Sequence, residues 1–256
     1  MAKLEKIGVQ LYTVRKFMET AEDIKVTFDK LKKLGYDQAQ TAGLTIPHQE
    51  FADLAKEAGI EIVGTHDSVT WYCESTDEAM DSLDILGTKN MGTGGFFPKD
   101  FAEFDEYIPK INALAKKIAP RGFKFTYHNH GHEFRKYNGV RIMDRLFDEF
   151  DKDNVSFCLD TYWVQFGGGD VRHWIDKLKG RIDILHLKDM AKGEHNSTNP
   201  QFYTEIGNGN LYWEGIIESA LNSGVKYFVV EQDTTPGDPF DSLASSRAYI
   251  GKNFMK

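Results

Sequence analysis

The fold can be worked out from residues 122–133, which read GFKFTYHNHGHE. The first half of this stretch is apolar and rich in aromatic residues, as expected of a buried β-strand. The second half places three histidines, an asparagine and a glutamate within residues 128–133. A strand that ends in this way is a poor core element, because each buried polar group needs a partner. The stretch therefore predicts a strand whose end holds a metal ion or a polar substrate.

Seven other short runs also read as strands, of which residues 36–42 are the weaker and unusually polar one, and a segment with helical spacing follows each of the eight runs. The predicted strands cover residues 7–12, 36–42, 61–66, 90–93, 123–130, 155–160, 182–188 and 227–232. The predicted helices cover residues 20–34, 47–58, 76–87, 100–119, 140–150, 170–178, 213–222 and 240–254. Such alternation indicates parallel strands joined by helices, and eight units in about 250 residues fit a closed barrel. We therefore expect a single (β/α)8 TIM barrel that forms one domain over residues 1–256.

Composition and charge argue against several classes of protein. The net charge is −8 and the chain has no dense cluster of Lys and Arg, so nucleic-acid binding is disfavoured. No window approaches the roughly 18–20 apolar residues of a membrane helix, and the N-terminus lacks the features of a signal peptide. Cys73 and Cys158 are the only cysteines, too few for a disulfide framework. We expect a cytoplasmic protein without nucleic-acid or membrane partners, and a homo-oligomer is possible.

Polar side chains recur where the predicted strands end. In a barrel these ends meet at one mouth, where the chemistry of such folds takes place. The residues concerned are Gln10, Gln40, His66, His128, His130, Glu133, Asp160, His186, Lys188, Glu231 and Asp233. Carboxylates and imidazoles that converge from several strands can hold a hard or borderline divalent ion. The pattern therefore predicts a polar site at the mouth of the barrel.

Several short motifs make the chain resemble a known family. They are GVQLYT (8–13), YHNHGHEF (127–134), LDTYW (159–163), LHLKD (185–189), EIGNG (205–209) and VVEQD (229–233). Together they resemble the sugar isomerase/epimerase superfamily, whose members have a xylose isomerase-like TIM barrel and include proteins similar to AP endonuclease family 2. The resemblance covers essentially the whole length and implies the barrel already expected. It is specific for the superfamily and not for one substrate.

The resemblance also implies a metal site. The family usually holds its ion with Glu, Asp, His and Glu from the second half of the barrel, which here implies Glu133, Asp160, His186 and Glu231. Glu133 is the only glutamate at the end of strand five, although a histidine could replace it. Such a set would hold one divalent ion, either Mn, Co, Mg or Zn. Gln40 stands where many relatives have Glu, which makes a site with several metal ions less expected.

The activity implied by the resemblance is isomerisation or epimerisation of a keto sugar or related polyol through an enediolate. In this interpretation Glu133 and Glu231 would remove and return the proton. His66 and Lys188 would assist catalysis. The substrate would contact the remaining candidates, which are Gln10, Tyr12, His128, His130 and Trp163.

Three other functions remain to be compared with this one. A dehydratase of the inosose type could use the same enediolate and expel a hydroxyl group. A non-catalytic sugar-binding relative is disfavoured because it would not need Asp160, His186 and Glu231. The nuclease function of distant relatives is disfavoured by the acidic net charge. We expect substrate specificity to lie in loops 96–101 and 190–210, and residues 207–209 to form a turn rather than a phosphate site.

Overall fold

The computed structural model describes residues 3–193 and 201–256, and within them eight parallel strands form a barrel. The strands are β1 Gly8–Gln10, β2 Gln38–Gln40, β3 Glu61–Gly64, β4 Asn90–Thr93, β5 Lys124–His128, β6 Val155–Asp160, β7 Ile182–Leu187 and β8 Tyr227–Val230. Parallel pairing runs without interruption from β3 through β2, β1, β8, β7, β6 and β5 to β4. The chain is thus an α/β TIM barrel, as the alternation of elements predicts.

Backbone hydrogen bonds between β3 and β4 bring the two ends of this sheet together. The amide of Thr65 donates to Asn90 O at 3.2 Å, and the amide of Asp67 donates to Gly92 O at 3.0 Å. Glycine is required at position 92, because a Cβ atom there would lie 2.2 Å from Thr65 O. The glycine at position 92 therefore permits the close approach of the neighbouring strand.

Eight principal helices surround the barrel. They are α1 Ala21–Leu34, α2 His48–Ala58, α3 Thr76–Leu86, α4 Phe104–Ile118, α5 Ile142–Glu149, α6 Val171–Lys177, α7 Trp213–Ser223 and α8 Pro239–Phe254. Their start and stop signals are local: Thr20 and Asp23 form a capping box before α1, and Gly35 ends that helix in the left-handed region. Among the described residues, no helix is both long enough and apolar enough to cross a membrane.

Most of the hydrophobic core lies between the strands and the helices. A separate small cluster fills the barrel itself and consists of Val63, Cys158, Ile184 and Val229. Cys158 lies two residues before Asp160 on β6, and Ile184 lies two residues before His186 on β7, so each pair shares a strand face. The apolar layer therefore lies directly below the polar strand ends. The interior layer of the barrel is therefore apolar and its mouth is polar.

The structure adds short elements at the mouth that the sequence pattern does not predict. Two helices, Val69–Glu74 and Thr161–Phe166, follow β3 and β6. A hairpin pairs Asp189–Lys192 with Gln201–Thr204. This hairpin occupies part of the predicted specificity loop 190–210, of which residues 194–200 lie outside the described residues. These segments are too short for a clear helical or β period, so their conformation depends on packing against the barrel.

Candidate active site

Four buried side chains meet at the ends of the last four barrel strands. They are His128 of β5, Asp160 of β6, His186 of β7 and Glu231, which directly follows β8. Each offers one nitrogen or oxygen atom, and these atoms all lie within 4.8 Å of one another. His186 Nδ1 lies 3.0 Å from Glu231 Oε2, and His128 Nε2 lies 3.3 Å from Asp160 Oδ2. Two imidazoles and two carboxylates in this arrangement could hold a divalent ion.

Hydrogen bonds on the far side of each imidazole orient both rings toward the carboxylates. His128 Nδ1 donates to Gly94 O at 3.2 Å, and His186 Nε2 donates to Gln40 Oε1 at 2.6 Å. With an ion bound, these bonds would select the tautomers that leave His128 Nε2 and His186 Nδ1 with lone pairs toward it. Within the part of the chain that is described, His186 Nδ1 is buried without a hydrogen-bond partner. A buried ring nitrogen beside two carboxylates is suitably placed to become a ligand of a bound cation.

Gln40 thus orients His186, whereas the sequence suggested only that a carboxylate had been lost at this position. We expect Gln40→Leu to weaken binding of a divalent ion by about 10- to 100-fold, because the His186 ring loses the bond that fixes its tautomer. Titration calorimetry with Mn²⁺ measures the effect. Gln38→Leu is the matched control, since Gln38 lies on the same strand and bonds instead to Glu61. Equal affinities in the two variants would contradict the orienting role.

The electrostatics of the cluster favour ionised carboxylates beside cations. Burial opposes ionisation of Asp160, but the ammonium group of Lys188 and hydrogen bonds from both cluster histidines hold the pKa of Asp160 below its ordinary value. Burial likewise opposes ionisation of Glu231, and Lys188 and His186 lower the pKa of Glu231 well below its ordinary value. The cluster therefore presents two anionic oxygen ligands at neutral pH.

The structure corrects the position expected for Glu133. Its carboxylate is fully buried outside the four-residue cluster and does not line the cleft. Glu133 Oε1 accepts a hydrogen bond from the Tyr127 hydroxyl at 2.7 Å, and Oε2 accepts one from the His130 amide at 2.9 Å. Three residues separate the end of the strand at His128 from a 3-10 helix at His132–Phe134, which carries Glu133 back to the outer side of β5. His128 takes the strand-five position in the cluster instead.

Glu133 gives a pH-dependent prediction. Burial raises the pKa of Glu133 to about 8, so the folded state holds a proton that the unfolded state loses near the ordinary value of 4.5. Stability should therefore fall as the pH rises between these two values, with a slope approaching about 1.4 kcal/mol per pH unit. Glu133→Gln should flatten this slope and leave metal stoichiometry unchanged. Urea unfolding from pH 5 to 8 measures the slope; loss of the metal in this variant would restore Glu133 as a ligand.

A cleft of about 320 Å³ opens above the cluster. Its lining residues are Tyr12, Ala42, His66, Gly94, Phe97, His128, His130, Lys188, Glu231 and Asp233. This volume is at the lower end of the range for small-molecule sites and suits a ligand of monosaccharide size. The cleft is lined from the ends of seven of the eight barrel strands, and five of these ends contribute residues predicted from the sequence.

Two further histidines extend the polar wall of the cleft. The His66 ring lies 5.1 Å from the His128 ring, and the His130 ring lies 4.8 Å from it. Burial and the neighbouring His128 lower the pKa of His66 well below its ordinary value and lower the pKa of His130 to about 2. Among the described residues, His66 Nε2 and His130 Nδ1 have no hydrogen-bond partner. Both rings are therefore neutral near pH 7, and these two nitrogens are available for hydrogen bonds.

Lys188 lies within the same network. Its ammonium nitrogen is 3.1 Å from Glu231 Oε2, 3.5 Å from Asp160 Oδ2 and 2.5 Å from Asp233 Oδ1. Burial alone would lower the pKa of Lys188, but these carboxylates raise it above its ordinary value. Lys188 is thus a charged group inside the site and not part of a solvated ion pair at the rim.

The remaining residues predicted from the sequence, Gln10, Tyr12 and Trp163, lie at different depths relative to the cleft. Gln10 is fully buried behind the cleft, where its amide donates to His66 Nδ1 at 3.2 Å, so Gln10 orients His66 and does not itself line the cleft. Tyr12 lines the mouth and is 42% exposed. Trp163 packs 5.1 Å from the His130 ring and forms a support behind it.

The sequence interpretation did not name Phe97 individually, and it placed Asp233 among the polar strand-end residues without giving it a catalytic or binding role. Phe97 lines the cleft, is 67% exposed and packs its ring 4.7 Å from that of His130. Its place within the predicted specificity loop 96–101 was the available signal. Asp233 follows Glu231 at period two, which was the signal for a shared face.

Known proteins resemble this chain in both sequence and structure. Residues 28–250 match the family model described as xylose isomerase-like TIM barrel. An inosose dehydratase of Geobacillus thermodenitrificans is 29% identical over 165 residues, which cover 58% of this chain and 54% of that protein. The chain thus matches about half the length of such curated relatives.

Solved structures extend the similarity over nearly the whole fold. A sugar phosphate isomerase/epimerase of Parabacteroides distasonis superposes with a TM-score of 0.84 at 22% identity and covers 99% of this chain and 100% of its own. A D-allulose 3-epimerase of Methylomonas sp. in complex with D-allulose superposes with a TM-score of 0.70 at 14% identity, with 99% of each chain covered. At these identities the superpositions show a shared fold.

Proposed function

The chain belongs to the xylose isomerase-like TIM barrel family, and from this membership we propose that it is a divalent-metal-dependent isomerase or epimerase of a keto sugar or related polyol. The observation that carries the proposal is the buried cluster of two imidazoles and two carboxylates at the base of a cleft of monosaccharide size. A purely structural barrel gains nothing from burying four such groups together, because each costs free energy to desolvate.

The proposed ligands are His128, Asp160, His186 and Glu231. A bound divalent ion would supply a Lewis acid that polarises the carbonyl group of the substrate and acidifies the neighbouring C–H bond. His128 replaces the glutamate first expected, so the set carries two negative charges from the protein. Mn, Co, Mg and Zn all accept oxygen and imidazole nitrogen ligands, and the ligand set leaves the choice among them open.

The positions of the cleft residues suggest the remaining catalytic and binding roles. Glu231 both belongs to the cluster and lines the cleft, so we assign proton removal to its carboxylate. Lys188 places an ammonium group 3.1 Å from that carboxylate and can return a proton to the substrate. His66 and His130 would bind hydroxyl groups through their unpartnered ring nitrogens, and Tyr12 and Phe97 would cover the C–H face. Because Glu133 lies outside the cleft, the pair of glutamates first expected is replaced by Glu231 and Lys188.

Solvent exchange tests the proposed chemistry directly. The Mn²⁺-loaded protein in D₂O should incorporate deuterium next to the carbonyl carbon of an accepted ketose or inosose, and ¹H NMR should show the isomer forming. Glu231→Gln should slow the exchange by about 100-fold or more. Binding of these sugars without exchange, in the wild type with metal present, would favour a non-catalytic sugar-binding protein.

Dehydration is the second candidate. It is favoured by the match to inosose dehydratases and by a charged ammonium group inside the cleft that could protonate a departing hydroxyl group. A dehydratase would lose water from an inosose and form a conjugated carbonyl product with new ultraviolet absorption. The same NMR experiment separates the two activities, because only isomerisation or epimerisation keeps every oxygen atom in the product.

A further inference from the structure

We propose that Lys188 competes with the divalent ion for Asp160 and Glu231. We further propose that Asp233 increases the metal affinity by holding the ammonium group away from these two carboxylates. This inference rests on the metal site of the proposed function and concerns how tightly that site holds its ion. It assigns Asp233, which is outside the four-residue cluster, a positioning role that controls metal affinity.

The first observation is that Lys188 and the cluster share the same two oxygen atoms. Glu231 Oε2 lies 3.0 Å from His186 Nδ1 and 3.1 Å from the Lys188 ammonium nitrogen. Asp160 Oδ2 lies 3.3 Å from His128 Nε2 and 3.5 Å from the same ammonium nitrogen. An ion held by these oxygens and an ammonium group held by them would therefore lie side by side.

The second observation is that this contact is almost dry. The Lys188 side chain is only 1% exposed, and both carboxylates are buried. Repulsion between two cations is strong where water does not screen it, so binding of one weakens binding of the other. Metal affinity should therefore increase when the Lys188 ammonium group moves away from the two carboxylates.

Asp233 offers Lys188 an alternative position. Its Oδ1 atom lies 2.5 Å from the ammonium nitrogen, and the Asp233 side chain is 21% exposed at the cleft mouth. The rings of Trp163 and Tyr203 lie 5.3 and 5.1 Å from the ammonium nitrogen and can also stabilise a cation. A small shift of Lys188 toward these groups would leave Asp160 and Glu231 to the ion.

The test is the affinity for Mn²⁺, measured by competition with a fluorescent chelator and without any substrate. Lys188→Met keeps the length of the side chain and removes its charge, so it should bind Mn²⁺ at least about tenfold more tightly than the wild type. Asp233→Asn should bind Mn²⁺ more weakly, because Lys188 then remains on Asp160 and Glu231. Lys226→Met, which removes a lysine paired with Asp183 on β7, is the control and should match the wild type.

The double variant separates competition from simple attraction. If Asp233 acts through Lys188, adding Asp233→Asn to Lys188→Met should change the affinity by less than about twofold, although the same change weakens binding in the wild type. An equal loss in both backgrounds would mean that Asp233 acts only by its negative charge, and it would overturn the inference. Asp233→Asn keeps Lys188, so its Mn²⁺ affinity tests whether Asp233 affects metal binding even if Lys188→Met does not fold.

The failure of this inference is distinguishable from the failure of the proposed metal site. A wild type that binds Mn²⁺ while Lys188→Met shows no gain would overturn the competition alone. No binding of Mn²⁺, Co²⁺ or Zn²⁺ by the wild type and by the folded variants would overturn both the competition and the metal site.

Discussion

Asp160→Asn is expected to weaken binding of a divalent ion by about 100-fold or more and to remove most of the proposed activity. The variant changes the charge with little change of shape. Asp160 Oδ1 accepts a hydrogen bond from the Trp163 amide at 2.9 Å and so caps the helix Thr161–Phe166, a role that asparagine fills equally well. Asp160 Oδ2 faces the cluster, and asparagine offers an uncharged atom there. The loss should therefore appear in metal affinity and not in folding.

Elemental analysis of the purified protein after incubation with Mn²⁺ measures this effect. About one ion per chain is expected in the wild type and far less in Asp160→Asn. Asp170→Asn is the matched control, because Asp170 caps α6 through the His173 amide at the same distance of 2.9 Å but is exposed and outside the cluster. Equal metal content in the wild type and Asp160→Asn would refute the assignment of Asp160 as a ligand.

Asp189→Asn is expected to lower the free energy of unfolding by about 3 kcal/mol or more. The Asp189 carboxylate is buried and accepts hydrogen bonds from five donors. These are the amides of Met190, Gly207, Gly209 and Leu211 and the indole nitrogen of Trp213. Asparagine has one acceptor oxygen, and its NH₂ group would point at donors, so several of these bonds would be lost while the donors stay buried.

Urea unfolding followed by circular dichroism measures the loss. Asp183→Asn is the control. Asp183, on β7, is a buried aspartate like Asp189, but among the described residues its carboxylate accepts a hydrogen bond only from Lys226, whose side chain is largely exposed. We expect this control to lose less than about 1 kcal/mol. Comparable losses in the two variants would show that the Asp189 network adds little beyond an ordinary ion pair.

The same network explains the turn predicted at residues 207–209. The amides of Gly207 and Gly209 converge on one anion, as they would in a phosphate site, but that anion is the chain's own Asp189. A Cβ atom at position 209 would lie 2.2 Å from Asp189 Oδ1, so glycine is needed for the carboxylate to fit. The predicted turn is thus present, and the amides of Gly207 and Gly209 bind Asp189.

The sequence by itself was sufficient to predict the barrel. Most strands of the barrel are short runs rich in apolar residues and the helices are amphipathic segments, and both signals are local. The strand β2, which reads QAQ, is an exception. For β4 and β6 the predicted bounds, residues 90–93 and 155–160, match the structure. The sequence also placed Asp160, His186 and Glu231 at or directly beyond strand ends, and all parallel strands end at the same mouth. The family resemblance then singled these three out as expected metal ligands, and the structure brings them together.

Only the tertiary structure decided which residue of the 127–133 stretch joins them. Pairing of β5 with β6 sets His128 beside Cys158 in register, which brings its imidazole within 3.3 Å of Asp160. Glu133 instead turns back to bond the Tyr127 hydroxyl, and Gln40 reaches His186 although 146 residues separate them in the chain. Strand register and the direction of a turn depend on contacts between distant segments, and no local pattern records them.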